Sequence, residues 1–254
     1  MINVHHHNGN RAKLRQRIER KFFVLPRNFD CALLLLRQLC HADVEFPFEQ
    51  INSLYFDTED LDQYERSSSG DFRKNKIRIR WYHQLDAYQE TVPVFVELKS
   101  REGFASSKQR RRLLVPKYQL EPANLHKGII PRTTLIDILA SFGYYLEEPI
   151  QPVIAISYWR YRFNELFSGS RLALDYDIRS TMVKQSPGYQ EKELKLSGAV
   201  IELKGTSMEL PLILRDMKLL DLDWSRFSKY SSCIDSHNEE IGAIGRLSPS
   251  GKII

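Results

Sequence analysis

Alternation of apolar and polar positions dominates the chain. In Lys76–Tyr82, Ile77, Ile79 and Trp81 fall on one side, with Lys76, Arg78, Arg80 and Tyr82 on the other. That period of two is the signature of a strand. Val92–Ser100 repeats it, with Val92, Val94, Val96 and Leu98 opposite Phe95, Glu97 and Lys99, and the polar connection between the two predicts a hairpin. Further strands are predicted at Glu19–Leu25, Ile51–Phe56, Arg111–Val115, Val153–Phe163, Arg171–Ile178 and Ala199–Lys204. Helices are predicted where caps precede apolar runs: from Asn28 or Asp30 to Arg37 or Leu39, and from Asp57 or Thr58 to about Arg66. Two more run from Thr133 or Thr134 to Phe142, closed by Gly143, and from Pro211 to about Leu220. Ser67–Gly70 and Met182–Gly198 read as loops. The expectation is one α+β domain over residues 17–235, with a flexible start (1–16, including His5-His6-His7) and a tail (236–254).

The polar sides of these strands share a composition. Tyr158, Arg160 and Arg162 oppose Trp159, Tyr161 and Phe163; Arg171, Ala173, Asp175 and Asp177 oppose Leu172, Leu174, Tyr176 and Ile178. Glu202 and Lys204 share one face of their strand, as do Glu19 and Lys21. A sheet with one wet face alternates in this way too. Yet this face is mostly Arg and Lys, and like charges opposite one another across a sheet cost stability. A bound polyanion supplies the reason for such a surface, because Arg grips phosphate oxygens in pairs and Lys adds point charge. Each residue also has a structural reading. Glu97 and Lys99 pair with neighbouring strands, Asp175 and Asp177 orient arginines, Arg162 snorkels to solvent, and Tyr55, Trp81 and Trp159 sit in the core.

Composition narrows the class. The 254 residues are 42% hydrophobic and 27% charged, which excludes global disorder. The longest apolar stretches, Ala32–Leu36 and Val153–Ile156, fall far short of the ~20 residues that cross a bilayer. Three cysteines without C-x-x-C spacing and no evident secretory signal give the expectation of a cytoplasmic protein without a membrane segment. The net charge of +5 is modest, but cations cluster at Arg11–Lys21, Arg73–Arg80 and Lys108–Arg112. The first and third runs, taken alone, are solvated faces or nonspecific nucleic-acid patches.

Eight strings in order change that reading. They are Ile18-Glu19-Arg20-Lys21-Phe22, Ser53-Leu54-Tyr55-Phe56-Asp57-Thr58, Lys76-Ile77-Arg78-Ile79-Arg80-Trp81-Tyr82, Val96-Glu97-Leu98-Lys99, Tyr158-Trp159-Arg160, Leu174-Asp175-Tyr176-Asp177, Val200-Ile201-Glu202-Leu203-Lys204 and Phe227-Ser228-Lys229-Tyr230. Together they resemble the VTC domain, the polyphosphate-polymerase branch of the triphosphate tunnel metalloenzyme (CYTH-like) superfamily. The resemblance implies an antiparallel eight-stranded β-barrel, a triphosphate tunnel with a few covering helices. It further implies a divalent metal (Mn or Mg) and transfer of the terminal phosphoryl of ATP to polyphosphate. By likeness, Lys21, Arg78, Arg80, Lys99, Arg160, Arg171 and Lys229 are catalytic. They bind the triphosphate with Lys108 and Ser228, while Glu202 and Glu19 hold the metal. ATP or another triphosphate and polyphosphate are the expected partners, and nucleic acid is not. One departure stands out: hydrolytic relatives open with E-x-E-x-K, whereas the first acidic position here is Arg17. That favours phosphoryl transfer over a triphosphate hydrolase, and a non-catalytic polyphosphate-binding module is the third reading.

Overall fold

A computed structural model of the protein describes residues 18–83, 90–103, 105–183, 192–205 and 227–238, together with Pro211 and Arg215. Arg17, the histidine tract, most of the helix predicted from Pro211 and the end of the chain lie outside the described residues. The strands are β1 (Ile18–Val24), β2 (Cys40–Ala42), β3 (Phe48–Asp57), β4 (Arg73–Tyr82), β5 (Thr91–Glu102), β6 (Ala105–Pro116), β7 (Gln151–Glu165), β8 (Arg171–Met182), β9 (Glu193–Lys195) and β10 (Ala199–Gly205). The helices are α1 (Phe29–Leu39), α2 (Asp62–Ser69), α3 (Arg132–Ser141) and α4 (Lys229–Asn238).

Eight strands pair antiparallel in the order β1-β10-β8-β7-β3-β4-β5-β6, with β2 added to β7 and β9 to β8. The expected eight-stranded antiparallel path is present. Its backbone ladder stays open, however, because no hydrogen-bonded pairing joins β1 to β6 among the described residues. β6 carries Lys108, Arg110, Arg111 and Arg112, and charge on an edge strand discourages pairing. Side chains bridge the approach instead: Lys99 on β5 donates to Glu19 on β1 at 3.1 Å.

Two apolar clusters lie on one face of the sheet. Leu135, Ile138 and Leu139 of α3 pack on Leu54, Ile77, Ile79, Val94 and Val96. Ala32 and Leu36 of α1 cover Phe22, Val24, Leu172, Leu174 and Ile201. Burying each large aliphatic side chain contributes ~1.5–3 kcal/mol. On the opposite, inner face a third cluster joins Ile51, Tyr55, Ile156 and Tyr158 to Phe227, Tyr230, Cys233 and Ile234 from α4 and the residues leading into it. Asp57 fixes this end. Its carboxylate accepts from the Gln63 and Tyr64 amides at the start of α2, each at 2.9 Å, and from the Tyr230 hydroxyl at 2.5 Å. Asp57 and Thr58 accept from the first amides of the helix as a cap would, but the capping position is Leu61 and the helix runs Asp62–Ser69, later at both ends than predicted and through most of the expected loop.

The structure corrects one face assignment. Asp177 has a left-handed backbone, φ +49°, at the point where β7 and β8 shift register opposite Ser157–Trp159. The extra residue is a bulge, and a bulge flips the parity of everything beyond it. Ile178 therefore packs inside with Tyr158 and Phe227 and not beside Leu172 and Leu174. Asp177 turns aside to Arg179 (3.1 Å) and Lys195 (2.8 Å). β6 is longer than predicted, since its exposed half has no apolar alternation. β2, β9 and α4 were not predicted: three residues show no period, and the polar α4 shows no stripe.

Candidate functional site

Strand pleating delivers the charged residues to the inner face. Arg80 on β4 reaches Ser53 (3.3 Å) and the Tyr158 hydroxyl (3.2 Å), while Arg78 donates to the Tyr55 hydroxyl at 2.9 Å. Tyr55 thus does more than fill the core. Burial pushes its phenol pKa up, and Arg78 and Arg80 outweigh that, leaving it below its ordinary value.

Buried carboxylates organise the cations into two groups. In the first, Asp175, 0% exposed, binds Arg160 through both oxygens at 2.5 and 2.6 Å and also pairs with Lys229. Glu202 accepts from the same Arg160 at 2.8 Å and from Lys229 at 3.1 Å, with Lys21 at 3.7 Å and Lys204 at 3.9 Å. In the second, Glu97, 1% exposed, takes Arg78 at 2.7 Å, Lys108 at 2.7 Å and Arg110 at 3.4 Å. Burial opposes the charge on all three carboxylates. The cations win, led by Arg160 at Asp175, Lys229 at Glu202 and Arg78 at Glu97, so all three ionise below their ordinary values, Glu202 and Glu97 well below. Glu19 follows the same rule: burial raises it, Lys21 and Lys99 lower it, and it settles at about 2.

The lysines facing this group behave differently. Lys76 donates to Ser228 at 2.7 Å, and its ammonium lies 5.9 Å from the Tyr230 ring centre. Burial, then the charges of Lys21, Lys99 and Arg78, drive its pKa down to about 7. Lys108 is lowered to about 8 by burial that Glu97 only partly offsets. Burial also lowers Lys21, whose ammonium donates to the Phe227 carbonyl at 3.1 Å.

The structure therefore brings together Lys21, Arg78, Arg80, Lys99, Lys108, Arg160, Ser228, Lys229, Glu19 and Glu202. Arg171 stands apart from this web. It is exposed on β8, level with Lys204 on β10 and Asn164 on β7. Sequence reasoning put Lys76 on the charged face but left it out of the site, and it treated Tyr55 as core only. The signal for Lys76 was its place two residues before Arg78. Arg162 does not snorkel freely: it pairs with Glu49 and donates to the Phe46 carbonyl at 3.1 Å.

As for a metal, Glu19 and Glu202 each approach the Lys21 ammonium to 3.7 Å, so their oxygens already flank one cationic position. No group of three His, Cys, Asp or Glu forms a protein-only cage among the described residues. Two carboxylates suit a hard divalent ion that keeps most of its shell for phosphate and water.

The family model of the VTC domain matches residues 16–238. No curated protein matches the chain. Among solved structures, a Bacillus halodurans protein provisionally named an adenylate cyclase is 20% identical, with TM-score 0.50 over 84% of this chain and 95% of its own. A Hippeastrum protein of similar provisional name, described as having a dominant triphosphatase activity, is 17% identical (TM-score 0.43, 86% and 95% covered). A Vibrio parahaemolyticus protein, also a provisional adenylate cyclase, is 14% identical (TM-score 0.42, 86% and 97% covered). The first likeness is one of fold alone.

Proposed function

This chain belongs to the VTC-domain family, and on that premise we propose that it is a metal-dependent polyphosphate polymerase that passes the terminal phosphoryl of ATP to a polyphosphate chain. The observation carrying this reading is the convergence of Arg78, Arg80, Arg160, Lys21, Lys99, Lys108 and Lys229 on one face, where Glu97, Asp175 and Glu202 hold several of them. Phosphoryl transfer asks mainly for positioning and for charge on the equatorial oxygens. Asp175 takes the Nε and one terminal nitrogen of Arg160, which aims the other terminal nitrogen at a ligand. Glu97 fixes Arg78 through Nε and Nη2 on a single carboxylate oxygen, and the Tyr55 hydroxyl accepts from Nη1.

The attacking group is a terminal oxygen of the acceptor phosphate, which is ionised already and needs no protein base. One P–O–P bond forms, the β–γ bond of ATP breaks, and ADP leaves with the electron pair. Lys229, Lys21 and Arg160 neutralise charge on the leaving side. Glu202 and Glu19 would hold Mg or Mn, which when bound supplies Lewis-acid stabilisation of phosphate oxygens.

Incubating the purified protein with ATP and Mn²⁺ tests the reading. The expected products are ADP and a ladder of polyphosphate on a stained gel. Free phosphate without chains would place the protein with the hydrolases, and neither product would leave a binding module. Glu202→Ala should abolish metal-dependent turnover while triphosphate binding survives. Turnover retained in that variant would overturn the metal assignment.

A further inference from the structure

We propose that Tyr82, Phe95 and Arg110 form a stacking site for the nucleobase of the triphosphate, beside the arginine pair on β4. This rests on the reading above and assigns the nucleoside end of the substrate. The Arg110 guanidinium lies 3.5 Å from the centre of the Phe95 ring and 5.8 Å from that of Tyr82, and it donates to the Tyr82 hydroxyl at 3.2 Å. The two rings meet edge to face, 5.7 Å apart at 70°. Both rings are half-buried, and Arg110, stacked over Phe95, is exposed, so a flat ligand can reach the outer face of its guanidinium. Phe95 belongs to none of the three apolar clusters, although it is a large aromatic on a central stretch of strand.

The register sets the group against the phosphate-binding residues. Phe95 is opposite Arg80, and Glu97 is opposite both Arg78 and Arg110. Along β4 the inner face reads Lys76, Arg78, Arg80, Tyr82, so charge gives way to an aromatic. The four rises of strand from Arg78 to Tyr82 span about 13 Å, the reach of a triphosphate and a ribose. Arg110 joins the two parts, since it touches Glu97 on one side and Phe95 on the other.

Planar bases stack on guanidinium groups and aromatic rings without regard to sequence. The three side chains supply no amide or carboxylate to read a base edge. The site therefore separates nucleotides from bare tripolyphosphate, and its stacking area favours purines over pyrimidines.

Calorimetric titration with a non-hydrolysable ATP analogue and with tripolyphosphate, both with Mg²⁺, tests this without turnover. The wild-type protein should bind the analogue more tightly than tripolyphosphate. Phe95→Leu should weaken the analogue about tenfold while changing tripolyphosphate less than about twofold, and Phe95→Tyr should restore the preference. Equal losses for both ligands in Phe95→Leu, or no preference in the wild type, would overturn the stacking site and leave the polymerase reading standing. Failure of both ligands to bind the wild-type protein would overturn both.

Discussion

Two sides of the inner face handle positive charge differently, and the difference lies at one lysine. On the β7–β8–β10 side, Arg160 and Lys229 are buried against Asp175 and Glu202, and each cation has a carboxylate within hydrogen-bonding distance. On the β4–β5–β6 side Glu97 holds Arg78, Lys108 and Arg110, but Lys76 beside them faces Lys21, Lys99 and Arg78, and its close partner is the hydroxyl of Ser228. The first arrangement fixes geometry and spends little free charge. The second leaves Lys76 with a charge its neighbours oppose, relieved either by loss of its proton or by a bound anion. A triphosphate site needs both: rigid donors to position the reacting phosphorus and an unsatisfied field to draw the substrate in.

The largest effect should come from breaking the rigid side. Asp175→Asn keeps the volume but leaves Arg160 and Lys229 buried with one fewer anion. Removing one partner of a buried pair costs ~3–5 kcal/mol, so urea denaturation should show a loss of that order. Asp175 positions Arg160 and does not touch substrate. The variant should therefore lower kcat by ~100-fold with a smaller change in KM, and Asp175→Glu should recover part of it. A loss of stability with kcat intact would make Asp175 a structural residue only.

Much of this division was legible in the alternation of the strands, because a period of two assigns faces without knowing which strand pairs with which. Arg78, Arg80, Glu97, Arg160 and Glu202 could be placed on one face in that way. The pattern failed where the backbone left the period. The bulge at Asp177 exchanged the sides of Asp177 and Ile178, and a bulge leaves no hydrophobic signature in the sequence. Lys76 was on the correct face, but its unusual state depends on which cations other strands bring near, and alternation carries no such pairing. The open ladder between β1 and β6 likewise depends on edge charge and register, which no single strand reveals.

The loose side should show itself through protons. An ordinary lysine ionises near 10.5, and Lys76 in the fold does so at about 7. Between those values the unfolded chain carries the proton and the folded chain does not. Lys76 therefore weakens the fold most below about pH 7, and stability rises as pH climbs toward 10.5. A triphosphate beside it favours the charged form, so binding at pH 8 should take up a proton and affinity should fall as pH rises above 7. Titrations in two buffers of different ionisation enthalpy measure that uptake. It should be larger in the wild type than in Lys76→Met by most of one proton, the remainder coming from Lys108, which ionises at about 8. Equal uptake in the two proteins would assign the proton elsewhere and erase the contrast between the two sides.

The smallest effect belongs to a pair with the same chemistry and the opposite surroundings. Arg73 and Glu102 face each other across β4 and β5 at 3.0 Å, but their side chains are 78% and 57% exposed. Water screens the attraction and two long side chains lose freedom to hold it, so such pairs contribute ~0–1 kcal/mol. Arg73→Ala should change the unfolding free energy by about 0.5 kcal/mol or less, and 0.5 M salt should remove what remains. Set beside Asp175→Asn, this isolates burial as the variable, because both variants delete one end of an arginine–carboxylate pair. A loss from Arg73→Ala as large as that from Asp175→Asn would mean that contact alone, and not the exclusion of water around it, makes the inner face rigid.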